Sequence, residues 1–88
     1  MSKAIGMVEY KTVSAGMTAA DTMIKTAEIE VIQASTVCPG KYIVLVTGEL
    51  SAVKASIDAV KVKYPEQLSD SFVLGNPHED IFSAIYGG

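Results

Sequence analysis

The sequence predicts an α+β fold: a four-stranded antiparallel sheet with two helices on one face and a short helix after the last strand. Two observations carry this. Apolar runs of strand length alternate with two stretches of helical periodicity in the order β-α-β-β-α-β. The 88 residues, nearly half hydrophobic and about a fifth charged, suffice for one globular domain spanning 1–88 and are too apolar for a disordered chain.

Each element has its own signal. Ala4 to Tyr10 is an apolar run that fits a buried strand. Thr12 or Ser14 caps a helix in which Ala20, Met23, Ile24 and Ala27 recur at helical spacing. β-branched residues return from Glu28 to Val37 as a second strand, interrupted at Cys38-Pro39-Gly40. Lys41 to Val46 is the strongest strand signal. Thr47-Gly48-Glu49 breaks it, and Val53, Ile57, Val60 and Tyr64 line one face of a second helix. Pro65 ends that helix by pushing Tyr64 out of helical geometry. Ser71 to Leu74 forms a short last strand. Asn76-Pro77-His78-Glu79 then has the form of a helix start, with Asn76 as cap and Pro77 at the first position. Ile81, Phe82 and Ile85 supply that helix with an apolar face. This element order is the ferredoxin-like arrangement.

Composition excludes several function classes. Every basic residue is a lysine and the net charge is −3, so the arginine-rich basic stripe of a nucleic-acid binder is absent. No apolar run approaches the roughly 20 residues of a membrane helix, and the N-terminus lacks the apolar core of a signal peptide. A cytosolic location with a reduced thiol is expected. His78 is the only histidine and Cys38 the only cysteine, so neither a histidine pair nor a cysteine framework holds a metal within one chain. The glycines form no phosphate-binding fingerprint. An enzyme is therefore not expected. Glu9, Glu28, Glu30 and Glu49 read as solvent-facing, and Met7, Met17 and Met23 as core filler. So apolar a surface on so small a body implies cover by other subunits.

The distinctive motif is Cys38-Pro39-Gly40-Lys41. Proline followed by glycine suits a type II turn, in which the glycine takes positive φ. That turn does not match the twist of tight hairpins, so a loop wider than two residues is expected. Two readings of Cys38 stand. It is an incidental turn cysteine, or it is a metal or redox site, its thiolate favoured by Lys41 and gathered into a cluster by symmetry.

Over essentially its whole length the chain resembles the hexamer-forming shell proteins of bacterial microcompartments. The resemblance rests on Ala4-Ile5-Gly6-Met7-Val8-Glu9, on Ala19-Ala20-Asp21-Thr22-Met23-Ile24-Lys25, on Gly48 to Ala55 and on Ile57-Asp58-Ala59. It implies a structural subunit of the bacterial cytoplasm. Its partners would be copies of itself in a cyclic hexamer, other shell proteins, encapsulated enzymes and small metabolites crossing a central pore. No cofactor is required. Cys38, Pro39, Gly40 and Lys41 would form the pore loop, and six copies of Lys41 facing the opening would favour anions. Lys25, Asn76, Pro77 and His78 would make hexamer-edge contacts. Two departures from the family pattern suggest a specialised subunit. Cys38-Pro39 stands where a small polar loop is usual, and Asn76 replaces the arginine of a Pro-Arg-Pro-His edge motif. A similar Cys-Pro-Gly-Lys loop occurs in a tandem-domain member from propanediol-utilising compartments, where pore cysteines hold an iron–sulfur cluster. A ferredoxin-like small-molecule-sensing regulatory domain is the remaining alternative.

Overall fold

The computed structural model describes residues 3–75, and of Cys38 the backbone. The elements are β1 (Ala4–Tyr10), α1 (Val13–Thr26), β2 (Glu30–Cys38), β3 (Lys41–Gly48), α2 (Leu50–Lys63) and β4 (Leu68–Leu74). The sheet order is β2-β3-β1-β4, with every neighbouring pair antiparallel. This is the ferredoxin-like topology expected from the element order. The helix expected after β4 lies outside the described residues.

Strand alternation divides the sheet into two faces. A Cβ on Gly6 would lie 2.6 Å from a methyl of Val53 and 3.1 Å from Ile57, so Gly6 faces α2. Ala4, Val8 and Tyr10 share its face, together with Val44 and Val46 of β3. They join Ala19 and Met23 of α1 and Val53, Ile57 and Val60 of α2 in one fully buried core. The Tyr10 hydroxyl donates to the Val60 carbonyl at 3.3 Å, which satisfies the one polar atom the ring carries inward. Burial, and secondarily the neighbouring Tyr64, raises the Tyr10 pKa above its ordinary value. The phenol therefore stays protonated and able to donate across the physiological range.

Several boundaries differ from those the sequence suggests. α1 is capped by Thr12, whose hydroxyl accepts from the Ala15 N–H at 3.2 Å. Its core face is Gly16, Ala19 and Met23. Ala27 ends the helix as an extended cap, and Ile24 points to solvent. Met17 is likewise exposed, while Met7 is only partly buried. Of the three methionines read as filler, Met23 alone is fully buried. α2 does end at Tyr64, whose backbone leaves helical geometry before Pro65 (φ −131°, ψ 64°). β4 begins at Leu68, three residues earlier than expected. In the added stretch Leu68-Ser69-Asp70, Leu68 packs against the core, whereas Ser69 and Asp70 are polar and exposed; pairing with β1 sets Leu68 opposite Tyr10 and Asp70 opposite Glu9. An edge strand paired on one side needs no apolar run to exist, so hydropathy underestimates it.

Candidate functional site

The β2–β3 hairpin carries the motif the sequence singled out. Cys38 ends β2, Lys41 begins β3 and the two are paired, so the loop is Pro39-Gly40 alone. Gly40 has φ +84°, the value a type II turn requires at its third position. The turn chemistry is as expected. The wider loop is not. The twist mismatch is absorbed in the strand itself, where the β2–β3 register shifts between Thr36 and Cys38. An extra residue there re-aims the tip without lengthening the loop.

Lys41 is not a free cation at this tip. Its Nζ lies 3.5 Å from the carboxylate of Glu9 on β1, and the Glu9 side chain is only 22% exposed. Glu9 was expected to face solvent. Instead it pairs with Lys41 and offsets its charge. The pairing is diagonal across β1 and β3, so only the strand register exposes it: Glu9 opposes Ile43, two residues beyond Lys41.

On the other side of the molecule, α1 presents Lys25 to solvent in an ion pair with Asp21 at 2.9 Å, one turn apart. The hydrogen bond that Lys25 donates to the Asp21 carboxylate, then that carboxylate's charge, raises the Lys25 pKa. Val13, Met17 and Ile24 stand exposed in one line along the same helix, with Met17 at 58% and Ile24 at 54%. Spacings of four and seven residues put them on one stripe beside the buried one. The sequence does hold this signal, because α1 has apolar residues on more of its circumference than one core face needs. Asn76, Pro77 and His78, expected at the same edge, lie outside the described residues.

A shallow cleft of ≈ 220 Å³ is lined by Ala15 and by Lys63 to Gln67, open on one side and smaller than the ~300–1,000 Å³ of small-molecule pockets. Among the described residues no three His, Cys, Asp or Glu side chains gather as metal ligands, and no helix is long and apolar enough to cross a membrane.

Comparison with known proteins fits this architecture of a small sheet under two helices. The BMC domain model matches residues 4–77, from the first residue of β1 to beyond the end of β4. The chain belongs to the BMC-domain family. It is 37% identical over 87 residues to the bacterial microcompartment shell protein PduT of Citrobacter freundii, covering 99% of this chain and 47% of PduT. It is 33% identical over 81 residues to the shell protein PduA of the same organism, covering 90% of this chain and 87% of PduA. The carboxysome shell protein CcmK2 of Synechocystis is 34% identical over 86 residues, covering 92% of this chain and 82% of that protein. Among solved structures, a microcompartment protein from Desulfitobacterium hafniense superposes with a TM-score of 0.88 at 39% identity, over all of this chain and 49% of that one. The chain thus spans about half the length of PduT and of the Desulfitobacterium protein, and most of PduA and CcmK2. Members of this family are structural shell components that assemble with other shell proteins.

Proposed function

We propose that residues 1–88 form one structural subunit of a bacterial microcompartment shell, closing with copies of itself into a cyclic hexamer around a central pore. The observation that carries this reading is the BMC-domain match across residues 4–77, on a fold whose α1 leaves Val13, Met17 and Ile24 uncovered. Fully burying such side chains is worth roughly 1.5–3 kcal/mol each, enough to favour association of a small domain. The tip Cys38-Pro39-Gly40-Lys41 lines the pore, and Lys25 with Asn76, Pro77 and His78 meets the next hexamer. Other shell proteins, encapsulated enzymes and small metabolites are the partners, in the bacterial cytoplasm. With Glu9 beside each Lys41, the ring favours anions less than six free lysines would, which suits uncharged polar solutes.

Native mass measurement at micromolar concentration tests the ring: a hexamer is expected, and a stable monomer refutes the reading. Lys25→Ala keeps the ring mass and weakens edge-to-edge association by about tenfold, ~1.4 kcal/mol, seen as loss of sheets in electron micrographs. Unchanged sheets would remove Lys25 from the edge.

The finer reading of Cys38 is an iron–sulfur site shared between subunits. Iron–sulfur clusters are held as a rule by four cysteine thiolates, and each chain supplies one, so only copies around an axis provide the set. Three or four of six sulfurs suit a sixfold ring less well than three on a threefold axis. Anaerobic iron reconstitution decides it: a brown protein whose colour is lost in Cys38→Ser supports the shared cluster. A colourless parent protein leaves Cys38 a turn residue.

A further inference from the structure

The hairpin end of the sheet gathers charged residues from three strands. Lys41 opens β3, Glu9 lies near the end of β1, and Asp70 stands on β4 directly opposite Glu9. Alternation along β1 turns Gly6, Val8 and Tyr10 toward the helices, so Glu9 belongs to the other face. Lys11 follows β1, and a Cβ on Gly40 would meet its carbonyl oxygen at 3.8 Å, so the end of β1 runs alongside the Pro39-Gly40 turn.

These groups are not engaged equally. The Lys41 ammonium sits 3.5 Å from a carboxylate oxygen of Glu9. Asp70 is occupied differently, its carboxylate accepting from the Ser71 N–H at 2.9 Å. Two ammonium and two carboxylate groups therefore balance around the tip, with Lys41 and Glu9 joined as the pair. A carboxylate or phosphate group approaching Lys41 must displace Glu9 or share the ammonium with it. On the way it also meets Glu9 and Asp70 as like charges. An uncharged polar molecule meets neither obstacle.

We propose that Glu9 is the charge-selectivity residue of the hairpin tip. As a built-in carboxylate partner it competes with anionic solutes, namely small carboxylates and phosphate esters, for the Lys41 ammonium. It converts a tip that Lys41 alone would make anion-binding into one that favours neutral polar molecules, a role that rests on the reading of this tip as the lining of a pore. Loss of the Glu9 charge alone leaves one uncompensated positive charge per chain at the tip, repeated in every copy of a ring.

The native cysteine beside Lys41 reports the local potential in the full-length protein. Its rate of thiol–disulfide exchange is measured with a dianionic aromatic disulfide, dithiobis(nitrobenzoate), and with a neutral one, dithiodipyridine. Both reagents consume the same thiolate, so the ratio of the two rates cancels the thiol's own ionisation and leaves the effect of solute charge. Glu9→Gln keeps the length of the side chain and is expected to raise the dianion-to-neutral ratio about fivefold at ~0.01 M salt. The rise should collapse toward the parent value at ~1 M salt, where charges are screened within a few ångströms. Lys41→Gln should lower the ratio. Asp70→Asn removes an equal charge from the neighbouring strand without breaking the pair, and is expected to change the ratio less than twofold.

In a Cys38→Ser background, Pro39→Cys repeats the series from the exposed turn itself. An unchanged ratio in Glu9→Gln at both reporter positions overturns the proposal. So does an equal rise in Asp70→Asn, which would make the effect one of general charge. Native mass measurement on the same samples separates this from the fate of the ring. A hexamer with a flat ratio removes the role of Glu9 alone, whereas a monomer with the expected ratio removes the pore and leaves the competition between Glu9 and anions standing.

Discussion

Replacing Gly16 by alanine is expected to destabilise the fold by about 2 kcal/mol, although alanine is the better helix former by about 1 kcal/mol. Gly16 sits in the first turn of α1 and is buried. A Cβ added there would come within 2.8 Å of both Cβ and Cγ of Tyr42, and the ring edge is closer still. Those atoms are not the free end of a flexible chain. Tyr42 is fixed through β3, which pairs with β1 and β2, so relief demands that α1 lift from the sheet. Overpacking of this kind costs roughly 1–3 kcal/mol and here outweighs the gain in propensity. Urea unfolding at fixed protein concentration measures it. The double-mutant cycle with Tyr42→Ala isolates the cause, since the alanine at position 16 should become neutral or stabilising once the ring is gone. A stabilised single mutant would mean that α1 shifts freely over the sheet.

Met23→Ala is expected to cost about 3 kcal/mol, within the range for removing a large buried aliphatic side chain. Met23 is fully buried among the side chains of the helix-side core, where α1 approaches α2 and the sheet. Its flexible thioether fills a space shaped by several elements, so truncation leaves a cavity that rigid strands do not collapse into. A domain of this size loses roughly 4–8 °C per kcal/mol, which places the expected fall in Tm near 15 °C. Met17→Ala, on the exposed stripe of the same helix, should leave the midpoint of the isolated subunit nearly unchanged and weaken only association. Because assembly raises apparent stability, both variants are compared with the parent at one concentration in calorimetry. Equal losses for the two methionines would contradict the assignment of separate faces to α1.

Much of the fold is legible without coordinates. β1 and β3 are continuous apolar runs because they occupy the two central positions of the sheet, and such runs read as strands from hydropathy alone. The Thr12 cap, the stop at Pro65 and the Pro39-Gly40 turn are local backbone chemistry, decided within a few residues. The first half of β4 is a different case. Its polar residues become a strand only because β1 offers unpaired backbone groups alongside, and no window of sequence contains both. The division of α1 into a buried stripe and an exposed one is also invisible locally, since Met17 and Met23 are the same residue type on one helix. Which of them faces the sheet depends on where α1 lands.

The candidate site divides in the same way. Cys38, Pro39, Gly40 and Lys41 announce a turn through their own conformational preferences, and the resemblance to shell proteins rests on residues that can be read in order. By itself the sequence thus determined a small α+β domain of the shell family, with one cysteine at a turn between two strands. The tertiary structure decided that the tip is a two-residue turn relieved by a strand irregularity, and that Glu9 offsets Lys41 across two strands. It also decided that Ile5 and Leu45 are buried on the face without described helices. The physical reason is common to all three. Turn and helix propensities are short-range properties of the chain, whereas charge pairing, strand register and burial belong to residues that only the folded sheet brings together.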